Sequence, residues 1–122
     1  MQVVWSTLTT FAFLDHRPVF KGHVLVLPRD HVVTLADLPS DQIEPYFTDV
    51  QRIAVAVESA LDAGGSFVAI NNKVSQSVAH LHTHVVPRTK GDGLRGFFWP
   101  RTKYASEDEA ESYANRIKDA LG

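Results

Sequence analysis

Three of the chain's six histidines fall at alternate positions in His80-Leu81-His82-Thr83-His84-Val85-Val86-Pro87-Arg88. Side chains alternate between the two faces of a β-strand, so an extended segment would project His80, His82 and His84 from one face and Leu81, Thr83 and Val85 from the other. Two chemistries use imidazoles in a row. The first is metal binding, but each i to i+2 step advances ~6.6 Å and separates the His80 and His84 backbones by ~13 Å. Zinc–nitrogen bonds are only ~2.0 to 2.1 Å long. A two-histidine site would have to borrow ligands from Asp15, His16, His23 or His31, which form no recognisable ligand pattern, and no metal is assigned. The second is covalent catalysis at phosphorus. A neutral imidazole is a good nucleophile near pH 7, and a nucleotidyl-imidazole divides one difficult transfer into two easier ones. The middle histidine would attack while its neighbours donate hydrogen bonds to the phosphoryl oxygens and the leaving group. Three histidines in alternation, preceded by Gln76 and Ser77, argue against an idle polar face.

The elements that must hold this segment are readable from pattern. Val3–Trp5 and Thr9–Leu14 are β-branched and aromatic and read as two short strands, and Asp15–Pro18 as a turn. His23–Pro28 is a continuous apolar run, expected of a central strand. Ser40-Asp41 offers an N-cap for a long helix with Ile43, Phe47, Val50, Ile53, Ala54, Val57 and Leu61 on one stripe, ended by Gly64-Gly65, with Pro45 in its first turn. Ser66–Ile70 is a further strand, and the histidine strand follows and ends at Pro87. Residues 89–122 read as an aromatic loop and a last helix, begun by a Ser106/Glu109 capping box and carrying Ala110, Tyr113, Ala114, Ile117 and Leu121 on one stripe. The expected fold is α+β, with a mainly antiparallel sheet of about five strands, one long central helix and a C-terminal helix. At 122 residues the whole chain, 1–122, is expected to be a single domain.

Composition narrows the partners. Twelve Lys and Arg against fourteen Asp and Glu give no broad basic field, so a nucleic-acid surface is not indicated and any phosphate must be bound by a few placed donors. There is no cysteine, which removes disulfides and thiolate chemistry. Met1–Leu14 lacks the basic and apolar regions of a signal peptide, and no stretch approaches the ~20 apolar residues of a membrane span. A soluble, cytoplasmic protein is expected.

His80-Leu81-His82-Thr83-His84-Val85-Val86 resembles the His-φ-His-φ-His-φ-φ signature of the histidine-triad (HIT) nucleotide hydrolases and transferases, with Thr83 in an ordinarily apolar place. Gln76-Ser77-Val78 is similar to that family's lead-in, and Phe11–Asp15 with Pro18 and Gly22–Val26 is similar to its FAFxD…P…GHxLV segment. The resemblance implies a HIT-like fold, a homodimer, and cleavage of nucleoside 5′-phosphate derivatives, phosphoramidates or dinucleoside polyphosphates, at the α-phosphorus. It makes His82 the nucleophile, His84 an α-phosphate contact and His80 a partner that orders the site and relays a proton. It puts Asn71, Gln76 and Ser77 at phosphate oxygens, Asp15 at the ribose, Phe13 and His16 beside the base, and His23 beneath the site. No cofactor is implied, although a divalent ion can accompany a polyphosphate. A diadenosine polyphosphate phosphorylase and a nucleotide-binding sensor with little turnover are the alternative readings. Ser75 stands where the family has glycine, the Asn71–Ser75 loop is shorter than usual, and the N-terminus lacks the cysteine-containing lead-in common in bacterial members. Gly91–Tyr104 has no assigned counterpart. Its Phe97, Phe98 and Trp99 would either close over a nucleobase or bury themselves in a dimer interface.

Overall fold

The structure is a computed structural model and describes residues 1–94 and 101–122. The chain forms two compact units, Met1–Lys90 and Gly91–Gly122. The first contains strands β1 (Val3–Ser6), β2 (Thr10–Leu14), β3 (Val24–Pro28), β4 (Gly65–Ile70) and β5 (Thr83–Arg88), and helix α1 (Ser40–Ala60). All neighbouring strands run antiparallel in the order β1-β2-β3-β5-β4. The fold is thus α+β with a five-stranded antiparallel sheet.

One face of the sheet carries the core. Ala12, Val24, Val26 and Val85 project towards Tyr46, Val50, Ile53 and Val57 of α1, and Leu81 joins them with no solvent exposure. Burying an aliphatic side chain of that size stabilises by roughly 1.5–3 kcal/mol, which anchors the histidine segment from below. Tyr46, absent from the expected stripe, is among the most buried residues, whereas Ile43 and Leu61 at the ends of that stripe are exposed. The tyrosine tolerates burial because its hydroxyl bonds the Val26 carbonyl (2.8 Å) and Thr83 Oγ1 (2.6 Å). Burial pushes its phenol up to about 12, so it stays neutral.

The start of α1 differs from expectation. Ser40 is the first helical residue, preceded by Pro39, whose carbonyl accepts from the Gln42 N–H at 2.9 Å. That bond begins the helix without a side-chain cap and puts Pro45 inside the helix, beyond the first turn. At the other end of the helix Gly22 (φ +100°) packs against Leu61, and a Cβ there would overlap Leu61 Cδ1.

The second unit holds α2 (Glu107–Leu121), capped by Ser106, whose side chain accepts from Glu109 N–H at 3.1 Å. The expected reciprocal bond lands one residue earlier, with Glu109 Oε1 accepting from Ala105 N–H at 2.8 Å. Glu107, Asp108 and Glu109 place negative charge on the first turn, where the helix dipole favours it. Phe97, Phe98 and Trp99 lie outside the described residues.

Candidate active site on the histidine segment

The three histidines do not share a strand. β5 begins at Thr83, so His84 alone lies in the sheet, while His80 and His82 belong to the segment leading into it. The ladder between β3 and β5 has three pairs, Val24↔Val85, Leu25↔His84 and Val26↔Thr83. Beyond Thr83 the segment is held by other bonds. Leu81 N–H donates to the Val32 carbonyl (2.7 Å) and His80 Nε2–H to the Pro28 carbonyl (2.8 Å). The apolar alternation survives, with Leu81, Thr83 and Val85 all fully buried.

Hydrogen-bond partners fix the tautomers, since a carbonyl can only accept. His82 Nδ1 lies 2.8 Å from the His80 carbonyl and therefore carries the hydrogen, which leaves the Nε2 lone pair for chemistry when the ring is neutral. The second chain of bonds starts at the Val19 N–H, which donates to His23 Nδ1 (3.1 Å). His23 Nε2–H then donates to His84 Nδ1 (2.9 Å). His84 is thereby left with its hydrogen on Nε2. The His82 and His84 ring centres are 5.1 Å apart, so a ring with an acceptor Nε2 neighbours a ring whose hydrogen is on Nε2.

Burial lowers the proton affinity of His23, against the opposing field of Asp15. It lowers that of His84 too, with His23 and His82 adding to the effect and Asp15 again opposing. Both rings are consequently neutral near pH 7, as the tautomer chain requires. Asp15 Oδ1 accepts from the Arg17 N–H (2.9 Å), and Oδ2 lies 3.7 Å from His23 Nδ1. The carboxylate belongs to the same cluster as the histidines.

The remaining expected residues are less closely gathered. Phe13 is half-buried beside Phe11, with ring centres 5.6 Å apart, on the sheet face that also carries Leu25 and His84. Phe11 was not among the expected site residues, although its i, i+2 relation to Phe13 puts it on the same face. His16, Asn71 and Ser77 are exposed. Gln76 ties its loop to the segment before α1: Nε2 donates to the Val33 carbonyl (2.5 Å) and Oε1 accepts from the Lys73 N–H (2.9 Å). That use of the amide leaves one of its N–H groups for a ligand. Lys73 and Ser75 hold left-handed φ values of 70° and 63° in this loop. His31, which the pattern did not connect to the segment, stands edge-on to His80 with ring centres 5.3 Å apart.

A family model described as HIT domain matches residues 1–91. The chain belongs to the HIT family. It is 36% identical over 93 residues to a bis(5′-nucleosyl)-tetraphosphatase [asymmetrical] of Schizosaccharomyces pombe, a match covering 75% of this chain and 51% of that protein. To a bis(5′-adenosyl)-triphosphatase of Dictyostelium discoideum it is 33% identical, with 75% and 62% covered. The crystal structure of a HIT family member from Bacillus subtilis is similar over 99% of this chain and 88% of that one, at a TM-score of 0.85 and 29% identity. This HIT protein spans between half and three fifths of the length of the first curated relatives it matches.

Proposed function

We propose that this HIT protein hydrolyses nucleoside 5′-phosphate derivatives, dinucleoside polyphosphates or phosphoramidates, through a nucleotide covalently held on His82. The observation that carries the reading is the bond from His82 Nδ1–H to the His80 carbonyl, which leaves Nε2 as the ring's nucleophilic atom. His82 Nε2 attacks the α-phosphorus, the bond to the leaving group breaks, and the leaving group departs with that electron pair and takes up a proton. His80 is the partner assigned to that proton's relay. Water then attacks the same phosphorus, the Nε2–P bond breaks, and nucleoside monophosphate is released. His84 Nε2–H, fixed as a donor by His23, holds a non-bridging oxygen as negative charge gathers there. Asp15 takes the ribose hydroxyls, Phe13 and His16 flank the base, and Asn71, Ser77 and the unused amide N–H of Gln76 meet phosphate oxygens. The scheme requires no resident cofactor, and a divalent ion enters only with a polyphosphate. Relatives named as a dinucleoside tetraphosphatase and a triphosphatase support the substrate class.

His82→Asn is expected to lower turnover of diadenosine tri- and tetraphosphate and of adenosine phosphoramidate by roughly 10³-fold or more. AMP binding should persist, and rapid acid quench of the wild-type protein with labelled substrate should trap a nucleotidyl-protein. A fully active His82→Ala variant would overturn the reading. The engagement of the Gln76 amide with Val33 and Lys73 favours a second reading, a sensor with weakened phosphate contacts. That reading is identified by tight AMP binding without any trapped intermediate across the substrate set.

A further inference from the structure

A cleft of about 450 Å³ opens between α1 and strands β1 to β3, wholly within the first unit. Its floor is the buried Val24, Ile53 and Val57, and its rim is apolar as well, with Val4, Leu14 and Leu61 between 37% and 49% exposed. Along the helix side run Arg52, Ala56 and Ala60, which at i, i+4 and i+8 stand one above the other on one face. The two alanines are small enough to leave the space, and at 1.5 Å per residue the row is about 12 Å long. Apolar cavities of this volume with few polar groups are where proteins take small ligands.

Charge enters the cleft at one place. Arg52 is the single charged residue of its lining, and its guanidinium carbon sits 4.9 Å from the centre of the Trp5 ring. The Trp5 indole N–H in turn donates to Asp49 Oδ1 at 3.3 Å, which sets the ring on which the cation rests. Arg52 has no ion-pair partner among the described residues. A planar fork of N–H donors thus stands at one end of an apolar trough whose lining carries no other charge. The matching ligand has an anionic head and a straight apolar tail about as long as the row. A nucleotide or sugar would leave its hydroxyls without partners there, and a neutral apolar segment would leave the Arg52 charge unmatched.

We propose that this cleft binds a medium-chain fatty acid carboxylate. The carboxylate accepts from the Arg52 guanidinium in the plane that stacking on Trp5 leaves open, and the tail runs along Ala56 and Ala60 over Val24, Ile53 and Val57. Each methylene withdrawn from water tightens binding by up to about fourfold. The ion pair contributes roughly fivefold, because Arg52 is exposed and water screens it. The tail therefore supplies most of the affinity and the head sets its direction. None of the residues assigned to the nucleotide lines the cleft, so the site stands apart from the nucleotide reading.

The test is calorimetric titration of the full chain with hexanoate, octanoate and decanoate, each below its micellar range, and with octanol as the uncharged counterpart of octanoate. One decanoate per chain is expected, at a Kd of about 0.1 mM or tighter, with affinity falling by up to about fourfold for each methylene removed. Arg52→Gln should weaken octanoate about fivefold and leave octanol unchanged. Ala56→Phe, which fills the trough, should abolish binding of both. Arg52 is exposed and its variant needs no repacking, so it decides the matter even if the Ala56→Phe protein does not fold. Absence of saturable binding, equal affinity for hexanoate and decanoate, an Arg52→Gln effect that is nil or the same for octanol, or full binding by a folded Ala56→Phe protein would each overturn the proposal. A change in the light-scattering mass of the Ala56→Phe protein would assign the cleft to a second copy of the chain and overturn it too.

Discussion

His23 is 3% exposed, yet both of its ring nitrogens are in use. Its proton affinity, like that of His84, is depressed, so both histidines bind protons more readily in the unfolded chain. The sign follows: their contribution to stability is full above the unfolded value near 6.5 and is lost as pH falls through the lowered folded values. A urea midpoint measured from pH 7.5 to 5 should decline on the acid side. A His23→Gln variant should flatten that decline, and an unchanged slope would remove His23 from the account. Thr10 Oγ1 offers a second test, being fully buried without a hydrogen-bond partner among the described residues. Removing an unsatisfied hydroxyl while keeping its shape should stabilise, so Thr10→Val is expected to raise stability by about 1 kcal/mol in a thermal or denaturant melt. At this scale the sequence picked out candidate residues but not how each is oriented. The alternation at His80, His82 and His84 was visible in spacing. The direction of the ring hydrogens of His23, His80, His82 and His84 depends on the carbonyls of Pro28 and His80 and the amide of Val19, which no spacing encodes.

Among the elements, the loop from Asn71 to Ser77 departs furthest from a relaxed backbone. Ser75 adopts φ 63°, a conformation that costs an L-residue roughly 1–2 kcal/mol and glycine almost nothing. Glycine would also add about 0.4–1 kcal/mol of unfolded-chain entropy, the smaller effect. Ser75→Gly should thus stabilise by about 0.5–1 kcal/mol by denaturant melt. A loss of stability would mean that the serine side chain contributes something beyond its backbone. The expected strands and both helices are present because their signals are local: alternation, an apolar run, a stripe at helical spacing. The misplaced features have non-local or backbone causes. β5 starts late because Leu81 and His80 bond residues some fifty positions away, and α1 starts early because the Pro39 carbonyl, not a side chain, receives the first turn.

On the scale of the whole molecule, β1 and β4 are the end strands of the sheet among the described residues. End strands are where a sheet can be extended by another chain, and β4 presents the apolar side chain of Val68 at 46% exposure. Light scattering should accordingly report about twice the 13.5 kDa chain mass, in keeping with a homodimer, and a mass of one chain would refute it. The long aromatic stretch around Phe97 was conspicuous in composition, but neither of its two readings follows from composition alone. No helix among the described residues is long and apolar enough to cross a membrane.

The Tyr46 hydroxyl touches both the Val26 carbonyl and Thr83 Oγ1, and Thr83 is the residue between His82 and His84. The two rings are therefore hinged about a point nailed to the central helix. Their permitted motion is rotation about their own side-chain bonds, with little translation of the backbone that carries them. In such an arrangement the spacing between the two stretches of backbone that carry the rings is kept by the core, so under the proposed mechanism a substrate would adjust the rings and leave their anchors in place.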